Sequence, residues 1–218
     1  MQKYKLAVFD FDGTLADTAG WFFEVLGEVA QRYRFRQLDA AALERLRGAD
    51  NRTIIREMRV PFWKMPFIVR HMRALATRDV EKITLFPDVH EMLAHLREHG
   101  VQVAIVSSNA EVNIRRTLGT RSAHLVARYA CGASMFGKPA KLRQVLRETG
   151  IPGAEAIYVG DETRDVDAAR TVGMQAGVVS WGFIHVERLR ALEPDECFAT
   201  VAELAERLTG TPLRRSAG

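Results

Sequence analysis

What the chain has little of narrows it first. It holds two cysteines, Cys131 and Cys197, far apart and in no CxxC pair. A disulfide framework or a zinc site is therefore not expected, and a reducing cytoplasm is the natural compartment. No apolar run approaches the roughly 20 residues of a membrane span. The opening MQKYKLAVFD lacks the shape of a signal peptide, because acidic residues follow at once on a short apolar stretch. The sequence also lacks internal repeats, low-complexity segments, a dense basic run and any nucleic-acid motif, so neither a membrane nor a nucleic acid is expected as partner. HLREH, with His95 and His99 four apart, lacks the zincin order HExxH and reads as an exposed helix face.

The 218 residues suffice for one large domain or a domain with an insertion. A hydrophobic content of 47% and a charged content of 27% are ordinary for a globular protein. The net charge of +4 is unevenly placed. Residues 17–85 hold 13 Lys and Arg against 9 Asp and Glu, whereas 1–16 and 86–218 each balance. A small anionic substrate explains that bias with few assumptions.

Residues 6–15, LAVFDFDGTL, organise the rest. Four consecutive apolar residues read as a strand buried on both faces, the habit of parallel sheets. The strand runs into Asp10 and Asp12, which point to one side in an extended chain. Gly13 allows a sharp exit. Two carboxylates facing one spot call for a cation or a shared proton, and Mg²⁺ suits sites that handle phosphate.

Further strands are expected at 101–106, 156–159 and 176–180, with a short one near 125–128. Helices are expected after each, including 111–118, 138–150, 164–172, 184–192 and 200–208. From 17 to 85 the pattern is helical, near 18–35, 39–47, 51–59 and 65–82, with Asp17 or Thr18 as first N-cap and no strand-like run. Phe62, Trp63 and Phe67 read as core or hinge packing of this segment, with a partner surface as the alternative. The expected architecture is α/β: a Rossmann-like parallel-sheet core, residues 1–16 and 86–218, with an all-helical insert at 17–85.

Polar groups fall at the carboxyl ends of the strands, where open α/β sheets bind ligands. Ser107 ends VAIVS, with Ser108 and Asn109 offering donors beside it. Lys138 precedes Pro139 at a helix start, a place suited to anions. Asp161 and Asp165, in GDETRD, lie four apart at another helix start. An aspartate nucleophile, an acid/base, a lysine, hydroxyl or backbone donors and a cation are the parts that phosphoryl removal requires.

In order, DFDGT at 10–14, Ser107, Lys138-Pro139 and GDETRD at 160–165 resemble the four motifs of the haloacid-dehalogenase-like hydrolases, over essentially the whole chain. The resemblance implies that Asp10 is the nucleophile, Asp12 the acid/base, and that Asp10, the Asp12 carbonyl and Asp161 hold Mg²⁺ with Asp165 in support. It implies a phosphatase acting through a phospho-aspartate on a small metabolite such as phosphoglycolate or a sugar phosphate, as monomer or homodimer. The insert resembles the helical cap of phosphoglycolate-phosphatase-like members. Arg47, Gly48, Asn51 and Arg52 then fall at the cap break that faces substrate, with Arg47 and Arg52 placed to meet an anionic leaving group. A phosphomutase of the same family is the alternative, and a non-catalytic binding protein on this fold is a third reading. At 86–89, Phe-Pro-Asp-Val stands where the family usually has Pro-Gly-Val, and a local change of backbone is expected there.

Overall fold

The computed structural model describes residues 3–39, 41–42, 46, 49, 51–132 and 137–213. Its centre is β1 (Leu6–Phe9), buried over its whole length. Hydrogen bonds run in parallel from β1 to β4 (Gln102–Val106) on one side and to β6 (Ala156–Gly160) on the other. With β5 (Arg128–Ala130), β7 (Gln175–Val179) and β8 (Glu196–Phe198), they form a six-stranded parallel sheet of order β5-β4-β1-β6-β7-β8. Ala7 and Phe9 enter one apolar cluster, Leu6 and Val8 the other, as the two-residue period of a strand requires.

Helices cover both faces. On one lie α4 (Val89–Glu98), α5 (Glu111–Ala123) and α9 (Val201–Thr209), packed through residues such as Leu93, Ile114 and Leu204. On the other lie α6 (Lys138–Thr149), α7 (Thr163–Thr171) and α8 (Val186–Arg190), through Leu142, Val166 and Leu189. The winding reverses at β1, so the crevice beyond its carboxyl end is the topological switch point.

Beyond that end the chain leaves through β2 (Ala16–Asp17) and returns through β3 (Thr84–Leu85), which pair antiparallel. Between them lie α1 (Ala19–Tyr33), α2 (Asn51–Glu57) and α3 (Met65–Arg78). These helices carry two apolar clusters of their own, one around Leu26, Ile54 and Met58, the other around Val29, Ile68 and Leu75.

Several expectations need correction. The segment's boundary is a strand pair, which two-residue elements conceal in sequence. β8 was not expected, being three residues at the sheet edge. The short strand near 125–128 falls at Arg128–Ala130. Helix α5 runs on to Ala123 through a kink at Gly119, whose φ of 65° interrupts the helical backbone. Thr18 stands at the N-cap of α1, but its side chain makes no capping bond. Asp88 has φ 66°, the left-handed backbone a glycine takes freely, so the position keeps a glycine-like path instead of a changed one. His95 is buried, its Nε2 facing the Thr209 hydroxyl and the Thr211 carbonyl at 3.0 Å each. Phe62 and Trp63, 82% and 69% exposed, do not pack inside the helical segment.

Candidate active site

Asp10 follows β1 directly. One carboxylate oxygen accepts the Phe11 N–H at 2.8 Å, the other the Lys138 ammonium at 2.5 Å. Lys138 is the first residue of α6, and Pro139 behind it fixes the start of that helix. Its ammonium also donates to Asp165, so one buried cation bridges two carboxylates. Asp165 is held further by the Tyr158 hydroxyl at 3.2 Å and the Glu162 N–H at 3.1 Å. Glu162 and Asp165 form a capping box at the start of α7, so helix capping and the charge network use the same side chain.

Asp161, fully buried, accepts the Thr14 hydroxyl and the Phe183 N–H, both at 2.8 Å. Two glycines make room for it. A Cβ at Gly13 would stand 2.6 Å from the Phe183 ring and 2.8 Å from Asp161 Cγ, and its φ of +77° already disfavours a side chain. A Cβ at Gly182 would stand 2.7 Å from Asp161 Cγ.

Carboxylate oxygens of Asp10, Asp161 and Asp165 lie within 4.8 Å of one another. All three are buried, with one ammonium among them. Burial, then the charges of Glu162, Asp10 and Asp165, push the Asp161 carboxyl far above its ordinary range. Burial also raises Asp10, against the pull of Lys138. Burial works against the Lys138 charge too, but Asp10 and Asp165 outweigh it and the ammonium is held more firmly than usual. An all-oxygen donor set with uncompensated negative charge fits a hard divalent cation.

Asp12 lies outside that cluster, partly buried. Both its oxygens accept from the Asn109 amide, at 3.2 and 3.3 Å. Burial, then the neighbouring Asp10 charge, lifts its carboxyl to about 7. The Ser107 hydroxyl accepts the Asn109 N–H at 3.1 Å, closing the turn after β4; among the described residues it makes no hydrogen bond to a carboxylate. The Ser108 carbonyl accepts from Arg73 of α3 at 3.0 Å. Arg47 and Gly48 lie outside the described residues, as do the side chains of Asn51 and Arg52.

A cavity of about 250 Å³ opens from Asp10 and Asp12 into the space between α1, α2 and α3. Among the described residues, segment 17–85 contributes one cation, Arg73, amid apolar side chains. Thr14 and Arg164 lie within the motifs at 10–14 and 160–165 but without an expected role, and Tyr158, Gly182 and Phe183 join the site from outside any motif. Phe183 meets Phe22 of α1 edge to face at 5.8 Å, a contact only tertiary structure reveals.

A parallel sheet with buried carboxylates, a bridging lysine and a cavity at its switch point defines a hydrolase of the phosphoryl-transfer class. The chain belongs to the haloacid dehalogenase-like hydrolases, whose family model matches residues 7–179. It is 33% identical to the phosphoglycolate phosphatase of Synechococcus elongatus, over 93% of this chain and 96% of that one. To the phosphoglycolate phosphatase of Mesorhizobium japonicum it is 28% identical, with the same coverage. A haloacid dehalogenase-like family hydrolase from Streptococcus pneumoniae superposes with a TM-score of 0.77 at 19% identity, covering 94% of this chain and 98% of that one. The protein is a phosphatase of this family, similar to its phosphoglycolate phosphatases. Among the described residues, no helix is long and apolar enough to cross a membrane.

Proposed function

We propose that the protein is a Mg²⁺-dependent phosphatase that hydrolyses a small phosphomonoester through a phospho-aspartate on Asp10. The observation that carries this reading is the Lys138 ammonium between Asp10 and Asp165, with Asp161 alongside and Asp10 itself lining the cavity. An Asp10 oxygen attacks phosphorus and the bond from phosphorus to the ester oxygen breaks, while Asp12 gives its proton to the departing alkoxide. Water then attacks the phospho-aspartate, Asp12 takes its proton, and the bond between phosphorus and Asp10 breaks to release phosphate. Lys138 fixes the Asp10 carboxylate and offsets negative charge. Asp10 and Asp161 would hold Mg²⁺ with Asp165 in support, and the ion would neutralise phosphoryl oxygens.

Residues 17–85 act as a cap on a core formed by 1–16 and 86–218, an assignment supported by the separate apolar clusters of the helices. The names of the relatives support phosphoglycolate as one substrate to assay. Free cysteines support a cytoplasmic setting. The test is a rapid acid quench of a single turnover with ³²P-labelled phenyl phosphate and Mg²⁺. Label should appear transiently on the protein as a hydroxylamine-labile acyl phosphate and be absent from Asp10→Asn; label that stays on a folded Asp10→Asn protein, or never reaches the parent protein at any quench time while phosphate is released, would exclude attack by Asp10.

A further inference from the structure

We propose that the alcohol half of the substrate is apolar, an alkyl or aryl group, and not a carboxylate-bearing one. This refinement rests on the phosphatase reading above. The cavity is continuous with Asp10 and Asp12, so whatever fills it is the part of the ester that leaves. Its far wall is made by Leu26, Val29, Ile54, Met58, Ile68 and Met72, from α1, α2 and α3. A carboxylate placed against that wall would lose its water and, among the described residues, gain no partner there.

The cations that line the cavity are Arg73 and Arg164, among the described residues. Arg73 reaches the Ser108 carbonyl and Arg164 pairs with Glu162, which places both at the sheet end of the cavity. Two polar atoms on the lining, the hydroxyl of Thr18 and the Nε of Arg164, are buried without a hydrogen-bond partner among the described residues; Arg164 is ion-paired with Glu162, which leaves the Thr18 hydroxyl to meet a polar atom on the ligand. An apolar cavity of about 150 Å³ takes a benzene ring. The 250 Å³ here accommodate a ring with a short chain, or a linear chain of about six to eight carbons.

The experiment compares n-alkyl monophosphates from methyl to decyl, phenethyl phosphate and 2-phosphoglycolate, with Mg²⁺ present. In parallel, calorimetry compares hexylphosphonate with phosphonoacetate, neither of which is hydrolysed. Values of kcat/KM should rise by up to about fourfold per methylene, then level near six to eight carbons. Hexylphosphonate should bind at least tenfold more tightly than phosphonoacetate. Met72→Gln should flatten the rise and weaken hexylphosphonate more than phosphonoacetate. A flat alkyl series with 2-phosphoglycolate preferred would overturn the inference and leave the phosphatase reading intact. Absence of turnover with every ester would count against the phosphatase reading, and the phosphonate comparison would still decide what the cavity accepts. Tighter binding of phosphonoacetate overturns the inference whatever the turnover.

Discussion

The charged cluster at the sheet end and the cavity that opens from it are built on opposite physical terms. At the sheet end, charged groups are packed against one another: Asp10, Asp161, Asp165 and Lys138 are all buried, and each is held by named donors or acceptors. Between the helices the lining is almost wholly apolar and leaves a void. The first region spends burial on fixing charges in place, which is unfavourable for each charge alone and tolerable only as a network. The second forgoes dense packing and keeps room for a guest. The chemistry is thus specified by partners already present, and the choice of substrate by partners still missing.

Removing the proposed nucleophile breaks that contrast most severely. Asp10→Asn keeps the shape of the side chain and should lower kcat by roughly 10³-fold or more, with circular dichroism unchanged. A folded Asp10→Asn protein with near-normal kcat would refute the assignment. Next comes Lys138→Met. Without its ammonium, Asp10 and Asp165 face each other unscreened, and stripping one partner from a buried ion network costs about 3–5 kcal/mol. Urea unfolding in chelator should show that loss, and Mg²⁺ should restore part of it. Equal stability with and without Mg²⁺ would argue against a cation among the three aspartates.

Gly13→Ala tests the crowding around Asp161. The left-handed backbone adds about 1–2 kcal/mol of strain, and the new methyl must displace Asp161 or Phe183. Turnover and Mg²⁺ affinity should fall together, well before the melting temperature changes by more than a few degrees. The smallest effect concerns the helical segment. Asp79 accepts from Arg78 and from the Trp21 indole, and these bonds hold its carboxyl down near 2. Its folded value lies below the unfolded one of about 3.9, so its contribution is complete above pH ~4 and is lost as pH falls toward 2. Melting curves of Asp79→Asn should therefore lose less stability between pH 4 and 2 than the parent. Parallel curves would mean the Trp21 and Arg78 bonds add nothing.

The sheet end was legible in the sequence because its parts sit on short, strongly patterned pieces. An unbroken apolar run before Asp10, Val-Ala-Ile-Val before Ser107 and Ile-Tyr-Val before Asp161 each announce a buried strand, and a ligand edge follows from parallel winding. What no local pattern carries is a contact between distant elements. Thr14 and Phe183 reach Asp161 from different loops, and Tyr158 meets Asp165 only because β6 and α7 fold back on one another. The apolar cavity was hidden for another reason. Met58, Ile68 and Met72 occupy positions that suit a packed helix as well as a cavity wall, since spacing reports which face is apolar and not whether anything fills the space beside it. The basic excess points toward an anionic leaving group, and the two residues placed to meet it, Arg47 and the side chain of Arg52, lie outside the described residues. His95 shows a limit of local pattern, polar in sequence and buried between α4 and the turn after α9.

The register of the sheet has one more consequence. Phe9 stands opposite Val159, and the Asp10 N–H donates to the Val159 carbonyl at 2.9 Å. Asp10 and Asp161 are therefore spaced by the rungs between two central strands, which act as a fixed ruler. Such rungs open only with global unfolding, unlike those at frayed ends. Heat should accordingly abolish activity and melt the sheet in one transition, with no temperature interval in which a folded but inactive enzyme accumulates.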